Sequence, residues 1–358
     1  MSATLDNVKK VLKPVKPDPS NTESELATTK TKSGKILEKI EDDVFLVNQI
    51  KGFSKGDIVD LDKELDKLLI QSEREEDNLV SSQKEPVDWS DATNYLKNID
   101  TKQFRQYELA CDRVKQFYEE QHEKQTVAYN IQARINFKTK SRAKMTIWEG
   151  LEKLNKLLDD SDPDTELSQI DHALQTAEAI RRDGKPRWFQ LVGLIHDLGK
   201  LLYFFDSKGQ WDVVGDTFPV GCKPSKKIIF PDSFKRNPDF VNPLYNTKYG
   251  IYSKNCGLDK VMLSWGHDEY MYHVAKGNST LPPEALAMIR YHSFYPWHQE
   301  YAYSYLMDDH DKQMLKAVKA FNAYDLYSKT EEVFDVETLK PYYLDLIDEY
   351  FPKKIIEF

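Results

Sequence analysis

The sequence contains only three cysteines, and their spacing is typical of neither a disulfide-rich fold nor a thiolate metal site. Cys111, Cys222 and Cys256 are odd in number, widely separated and without CxxC spacing. This pattern argues against a disulfide framework and against a metal site built on thiolates. It favours a reducing environment, and we expect the protein to be cytoplasmic.

The sequence also lacks an excess of positive charge and any long apolar run. Among 358 residues, 50 Lys and Arg stand against 59 Asp and Glu, which gives a net charge of −9. Nucleic-acid binding requires a basic face, so we predict no nucleic-acid partner. Apolar runs such as Leu201–Phe205 are far shorter than the roughly 20 residues of a membrane-spanning helix, and residues 1–20 contain no apolar signal region. We therefore predict a protein without a membrane partner.

Composition divides the chain into three regions. Residues 1–35 are rich in Lys, Pro, Ser and Thr, which predicts a disordered tail. Residues 36–90 predict a short helical extension, in which Leu61, Leu65, Leu68 and Leu69 have helical spacing, followed by a linker. Residues 91–358 form the predicted catalytic domain.

The apolar pattern of the third region is helical almost throughout. The clearest examples are WFQLVGLIHDLGKLLYF, LPPEALAMIRYHSFYP and DKQMLKAVKAFNAYDLYSK. Residues 206–258 are instead rich in Gly, Pro, Asp and aromatic residues, which predicts long ordered loops with one small hairpin around WDVVGDTFPVGC, residues 211–222. Strands and helices do not alternate, so the sequence predicts an all-α fold.

What the sequence does contain is histidine concentrated in one region. Seven of its eight histidines lie between residues 172 and 310, the exception being His122. The strongest local motif is GLIHDLGK, residues 193–200, where His196 and Asp197 are adjacent within an apolar segment. Burying a carboxylate beside an imidazole is costly unless a cation or strong hydrogen bonds compensate, so the pair indicates a metal site.

Other residues of the same types lie in similarly apolar surroundings. His172, His267, His292 and Asp325 are each on a predicted helix or at its edge. Four imidazoles and two carboxylates can supply most ligands of two octahedral metal ions, and nitrogen and oxygen donors without thiolate suit iron or manganese.

A purely structural interpretation of these residues is also possible. A single buried histidine is more often a hydrogen-bonded core residue than a metal ligand, and His122, His273, His298 and His310 are assigned to the core or the surface. Asp268 follows His267 as Asp197 follows His196, so spacing alone does not decide which aspartate would bridge two metals.

The order H…HD…H…H…D resembles the HD-domain superfamily, whose members have an all-helical core. Longer motifs resemble the myo-inositol oxygenase family, and the similarity extends from about residue 104 to 350. They are DDSDPD (159–164), LVGLIHDLGK (191–200), WDVVGDTFPVGC (211–222), LSWGHDEYMY (263–272), LPPEALAMIRYHSFYPWH (281–298) and FNAYDLYSK (321–329).

The resemblance implies a mixed-valent di-iron site that uses O2 as co-substrate to cleave the ring of myo-inositol to D-glucuronate. One iron would be held by His172, His196 and Asp325, the other by His267 and His292, with Asp197 bridging. Asp197 and Lys200 would be catalytic, with Lys200 contacting a substrate oxygen and assisting proton movement. The implied substrate contacts are Arg105, Asp159, Asp160, Ser161, Lys200, Gly215, Asp216, His267, His292, Ser293 and Lys329, of which Asp160 would use its backbone.

Two alternatives to an oxygenase remain open at the level of sequence. A metal-dependent HD-domain phosphohydrolase could use the same ligands to activate water, but it would need several cations for phosphate, and Lys200, Arg290 and Lys329 are the main ones near the motifs. A non-catalytic HD module would lack a ligand, and none is missing. The resemblance favours a monomer.

Overall fold

The computed structural model describes residues 89–96, 112–161, 168–328 and 334–358. The predicted tail 1–35 and almost all of the predicted extension 36–90 lie outside these residues. The described part is mainly helical, which confirms the all-α prediction. Its α-helices are α1 (Thr93–Leu96), α2 (Asp112–Lys124), α3 (Val127–Thr139), α4 (Ile147–Leu154), α5 (Gln169–Arg182), α6 (Arg187–Ile195), α7 (His267–Asn278), α8 (Pro283–Tyr291), α9 (Tyr295–His298), α10 (Asp309–Tyr327) and α11 (Val336–Tyr350).

Helix α6 lies at the centre of the larger hydrophobic core. Every residue from 189 to 195 is buried, as expected of a helix that is apolar on all sides. Gly193 permits α5 to pack closely, because a Cβ at this position would lie 2.8 Å from Cα of Ala177. The close packing of α5 and α6 brings His172 of α5 near the end of α6.

The chain tightens directly after α6 into a 3₁₀ helix, His196–Phe204. The apolar pattern of WFQLVGLIHDLGKLLYF predicted a continuous α-helix here. In a 3₁₀ helix, residues three apart lie above one another, and the structure accordingly pairs Asp197 with Lys200. The close approach of α7 constrains this segment, because a Cβ on Gly199 would lie 2.1 Å from the carbonyl oxygen of His267.

The hairpin predicted at residues 211–222 is not present. This segment begins in a short 3₁₀ helix, Gln210–Asp212, and continues as a loop. Its partner is residues 262–264: Val220 N donates to Met262 O and Ser264 N donates to Phe218 O. Gly215 and Gly221 have positive φ values of 90° and 81°, so the chain turns where a hairpin strand would have to continue.

The described residues contain one two-stranded sheet. Strand β1 (Lys144–Met145) pairs antiparallel with β2 (Ile356–Glu357), with Lys144 opposite Glu357 and Met145 opposite Ile356. No helix among the described residues has both the length and the apolar character needed to cross a membrane.

Candidate metal centre

Four buried side chains from three helical segments form what we call the first group. It consists of His172 on α5, His196 and Asp197 on the 3₁₀ helix, and Asp325 on α10. The Oδ1 atom of Asp325 lies 3.1 Å from Nε2 of His172 and 3.2 Å from Nε2 of His196. The Oδ2 atom of Asp197 lies 3.6 and 3.5 Å from the same two nitrogens.

The second group consists of Asp197, His267 and His292. His267 is the first residue of α7, and His292 directly follows α8. Their Nε2 atoms are 3.2 Å apart. The Oδ1 atom of Asp197 lies 3.4 Å from Nε2 of His267 and 3.5 Å from Nε2 of His292. Asp197 therefore presents one carboxylate oxygen to each group.

This arrangement distinguishes Asp197 from Asp268 as the bridging aspartate, which sequence spacing did not. Asp268 lies close to His267 and His292, whereas Asp197 is in contact with histidines of both groups. Of the two aspartates that follow a histidine, Asp197 has the position of a bridging carboxylate.

Backbone carbonyls fix three of the imidazoles. The Nδ1 atom of His196 donates to Gly193 O at 2.9 Å, that of His267 to Val213 O at 2.8 Å, and that of His292 to Ile289 O at 2.9 Å. A carbonyl only accepts, so each Nδ1 carries a proton, and each Nε2 is the nitrogen that faces the centre and can bind a metal once it is deprotonated. The sequence did not predict these carbonyl partners, because their placement depends on the helix ends.

The donor set fits a pair of metal ions. With metal–ligand bonds of about 2.1 Å, neighbouring ligands of an octahedral ion are about 3 Å apart, close to the 3.1 to 3.6 Å separations within each group. Nε2 of His196 is buried and makes no hydrogen bond in the described part of the chain. An imidazole nitrogen left in this state is expected where a cation is the partner.

Electrostatic interactions within the two groups shift the pKa values of their members, and the ionised carboxylates that result suit a cation. Burial alone would raise the pKa of Asp197, but Lys200 and the surrounding imidazoles hold that pKa well below its usual value. Burial likewise opposes ionisation of Asp325, yet His196 and His172 keep its pKa well below the usual value. Burial would lower the pKa of His292, but Asp268, Asp197 and Asp325 raise it to about 9. Both carboxylates are therefore ionised at neutral pH.

Lys200 connects the centre to a loop. Its Nζ atom lies 2.8 Å from Oδ2 of Asp159 and donates to Oδ2 of Asp197 at 2.9 Å. Burial opposes the charge on Lys200, but the two carboxylates raise its pKa, so the ammonium persists. Ser161 Oγ donates to Oδ1 of Asp159 at 2.6 Å, which places three of the expected polyol contacts together.

The structure brings only some of the other predicted substrate contacts towards the centre. Ser293 Oγ lies 3.2 Å from Nε2 of His267, and Asp216 is buried beside Gly215 in the loop after Asp212. The side chain of Asp160 turns outward to an ion pair with Arg113 at 3.4 Å. Arg105 and Lys329 lie outside the described residues.

Helix α2 supplies residues that the motifs did not identify. Tyr118 donates its hydroxyl to Oδ1 of Asp216 at 3.3 Å, and Gln121 donates to the carbonyls of Val214 and Asp216. Together they hold the loop that contains Gly215. Their separation of almost 100 residues from that loop leaves no local sequence signal for the contact.

Of the three cations named above as candidates for binding a phosphate, the two that the structure describes are already neutralised; Lys329 lies outside the described residues. Arg290 is buried and forms ion pairs with Glu269 and Asp259, and Lys200 is paired with two carboxylates. This arrangement does not favour the phosphohydrolase alternative.

Comparison with known proteins supports the same conclusion. Residues 111–358 match the family model described as myo-inositol oxygenase. The chain is 52% identical to "Probable inositol oxygenase" of Oryza sativa subsp. japonica over 70% of this chain and 84% of that protein. It is 49% identical to "Inositol oxygenase" of Dictyostelium discoideum over 74% of this chain and 92% of that protein. It is 49% identical to "Inositol oxygenase" of Homo sapiens over 71% of this chain and 90% of that protein. The chain belongs to the myo-inositol oxygenase family.

Proposed function

We propose that this protein is an oxygenase that cleaves the ring of myo-inositol with O2 to give D-glucuronate. The reaction balances as C6H12O6 + O2 → C6H10O7 + H2O, so O2 accepts four electrons and no other oxidant is needed. The observation that carries the proposal is the geometry of Asp197, whose two oxygens face separate imidazole groups while Lys200 donates to one of them.

The residues that would hold two iron ions are those of the two groups. His172, His196 and Asp325 would bind one ion, His267 and His292 the other, and Asp197 both. A mixed-valent iron pair would supply redox chemistry with O2 and lower the pKa of bound substrate hydroxyls. The imidazole and carboxylate donors and the absence of thiolate in this donor set support iron.

The role proposed for Lys200 is to hold and deliver a proton. An ammonium has three N–H donors; two are directed at Asp159 and Asp197, so the third can donate to a hydroxyl of the substrate. Because Lys200 is buried and its pKa is raised, it remains a donor throughout the neutral range.

The role proposed for the surrounding loops is to orient the polyol. Asp159, Ser161, Asp216 and Ser293 are buried or nearly buried and offer both donors and acceptors. A buried hydroxyl left without a partner costs about 1–3 kcal/mol, so a site with these groups favours a substrate that has a hydroxyl on every carbon. Arg105 and Lys329 stay in the proposal as further contacts.

The test is product formation by the iron-loaded protein. The wild-type protein, given Fe(II), myo-inositol and O2, is expected to form glucuronate. Asp197→Ala is expected to lose bound iron and product together, whereas Asp311→Ala, which removes a buried carboxylate at the start of α10, is expected to retain both. Release of phosphate from a phosphoester, without glucuronate from myo-inositol, would contradict the proposal.

Three further expectations belong to the same proposal and remain predictions. They are the cytoplasmic location, the monomeric state and the division of the chain into a tail at 1–35, an extension at 36–90 and a catalytic domain at 91–358.

A further inference from the structure

Asp268 is a buried carboxylate that joins three segments around the second group. It lies in the first turn of α7, next to His267, and is only 1% exposed. Its Oδ2 atom accepts a hydrogen bond from the backbone N–H of Ser293 at 3.2 Å and another from the hydroxyl of Thr217 at 3.1 Å. One oxygen thus fixes the residue after His292 and the residue after Asp216 relative to His267.

The other oxygen of Asp268 faces imidazole nitrogens instead of backbone or hydroxyl donors. Oδ1 is buried, and no backbone N–H or hydroxyl among the described residues donates to it. It lies 2.7 Å from Nε2 of His267 and 3.6 Å from Nε2 of His292. These are the nitrogens that face Asp197, since the Nδ1 atoms of both rings donate to backbone carbonyls.

A buried carboxylate oxygen is costly unless a hydrogen-bond donor or a positive charge compensates. The buried cations nearby are engaged elsewhere: Lys200 with Asp159 and Asp197, and Arg290 with Glu269 and Asp259. A divalent cation held by His267 and His292 would displace any proton from their Nε2 atoms and supply the positive charge itself, and Oδ1 is directed at these two nitrogens.

We propose that Asp268 is a positioning residue for the second metal: Oδ2 fixes Ser293 and Thr217 around it, and the charge on Oδ1 strengthens its binding by His267 and His292. This inference rests on the two-metal site of the proposed function and assigns to that site a residue outside the predicted ligand set. We expect its effect to be selective, because no hydrogen bond or ion pair joins Asp268 to His172, His196 or Asp325 among the described residues.

The test is anaerobic Fe(II) titration of the full chain, with the affinity of each of the two sites measured separately. Asp268→Asn keeps the size of the side chain and an oxygen for Ser293 and Thr217 but removes the charge. We expect the second Fe(II) to bind 10- to 100-fold more weakly, the range seen when a group that supports a ligand is lost, and the first to bind as in the wild type. In turnover, KM for myo-inositol should rise more than kcat falls.

Two control variants separate the charge from a general loss of structure. Asp311→Asn alters a buried carboxylate whose Oδ2 accepts two backbone N–H groups, from Leu258 and Asp308. It lies 14 residues from Asp325 on α10, about 21 Å along the helix, so both Fe(II) affinities should be unchanged. Thr217→Val removes one hydrogen bond to Oδ2 but no charge, and should weaken the second site less than Asp268→Asn does.

Each other outcome overturns the inference. If the wild type binds two Fe(II) and Asp268→Asn binds both with unchanged affinity, the role of Asp268 is wrong while the proposed function stands. If Asp268→Asn weakens both sites equally, or Asp311→Asn has the same effect, Asp268 acts only through stability. If the wild type binds fewer than two Fe(II), the two-metal site and the inference fail together.

Discussion

At the scale of single residues, the chemistry depends on contacts between groups far apart in the sequence. Asp197 contacts His267 and His292, which are 70 and 95 residues away. Through the family resemblance, the sequence motifs identified these three ligand candidates and the other three, His172, His196 and Asp325. They could not distinguish Asp197 from Asp268 by spacing, because both follow a histidine and only the packing of α7 against the 3₁₀ helix separates their positions.

The first residue-scale prediction concerns the bridge. Asp197→Asn keeps the shape of the side chain but removes the charge that both groups share, so we expect metal content to fall from two ions to fewer than one per chain. Metal analysis after gel filtration measures this. Glu152→Gln, which neutralises a half-exposed carboxylate on α4, should retain two ions. Two ions retained in Asp197→Asn would show that the bridge is not needed.

The second residue-scale prediction concerns Lys200. Lys200→Met keeps the length of the chain but removes the N–H donors, so turnover should fall roughly 100-fold or more, as is typical when a proton-transferring group is lost. Iron content should stay at two ions per chain. The comparison is Lys276→Met, an exposed lysine on α7, which should turn over normally. Loss of iron in Lys200→Met would instead assign the lysine a structural role.

At the scale of elements, the centre depends on helix ends. His196 directly follows α6, His267 begins α7 and His292 directly follows α8. The sequence predicted these helices from their apolar spacing. It did not predict the change from α-helix to 3₁₀ helix at His196, because that change depends on the backbone of α7 lying against Gly199, a contact between distant segments.

The element-scale prediction tests that contact. Gly199→Ala places a Cβ 2.1 Å from His267 O, so either the 3₁₀ helix or α7 must move. Overpacking of this kind costs about 1–3 kcal/mol or more, and His267 would shift from the second group. The thermal unfolding temperature and the metal content should both fall. Gly150→Ala is the control, because the three atoms nearest to its Cβ would all belong to side chains: Leu201 at 3.1 Å, Leu198 at 3.2 Å and Phe358 at 3.8 Å. Normal metal content in Gly199→Ala would contradict the account.

At the scale of the whole molecule, composition and periodicity predicted the fold class but not the backbone pairings between distant segments. The helices of residues 112–358 follow the apolar pattern. The β1–β2 pair joins residues more than 200 positions apart, and two-residue strands have no detectable alternation. The predicted hairpin was wrong because residues 218–220 pair with residues 262–264 instead of with another part of the 211–222 segment.

The whole-molecule prediction concerns acid stability. Burial lowers the pKa of His122 to about 3, against an ordinary value of 6.5. At pH values between these two pKa values, His122 binds a proton in the unfolded chain but not in the folded chain. Stability is therefore lost as pH falls below 6.5. From pH 7 to pH 5 this histidine alone should remove on the order of 2 kcal/mol from the free energy of unfolding.

Urea unfolding of the metal-free protein at pH 7 and pH 5 measures this effect. His122→Phe cannot be protonated and can still stack on Phe234, which lies 4.0 Å from His122 between ring centroids. We expect the variant to lose less stability than the wild type over this pH interval, even if it is less stable at pH 7. Equal losses in the two proteins would show that His122 is not held neutral by burial.

The most direct test of the central claim follows the oxygen atoms. The proposed product contains one oxygen more than myo-inositol, and that atom must come from O2. Iron-loaded protein supplied with myo-inositol and ¹⁸O2 should form glucuronate that carries one ¹⁸O, with one O2 consumed for each product molecule. Unlabelled glucuronate, or no glucuronate from a protein that holds two iron ions, would contradict the account.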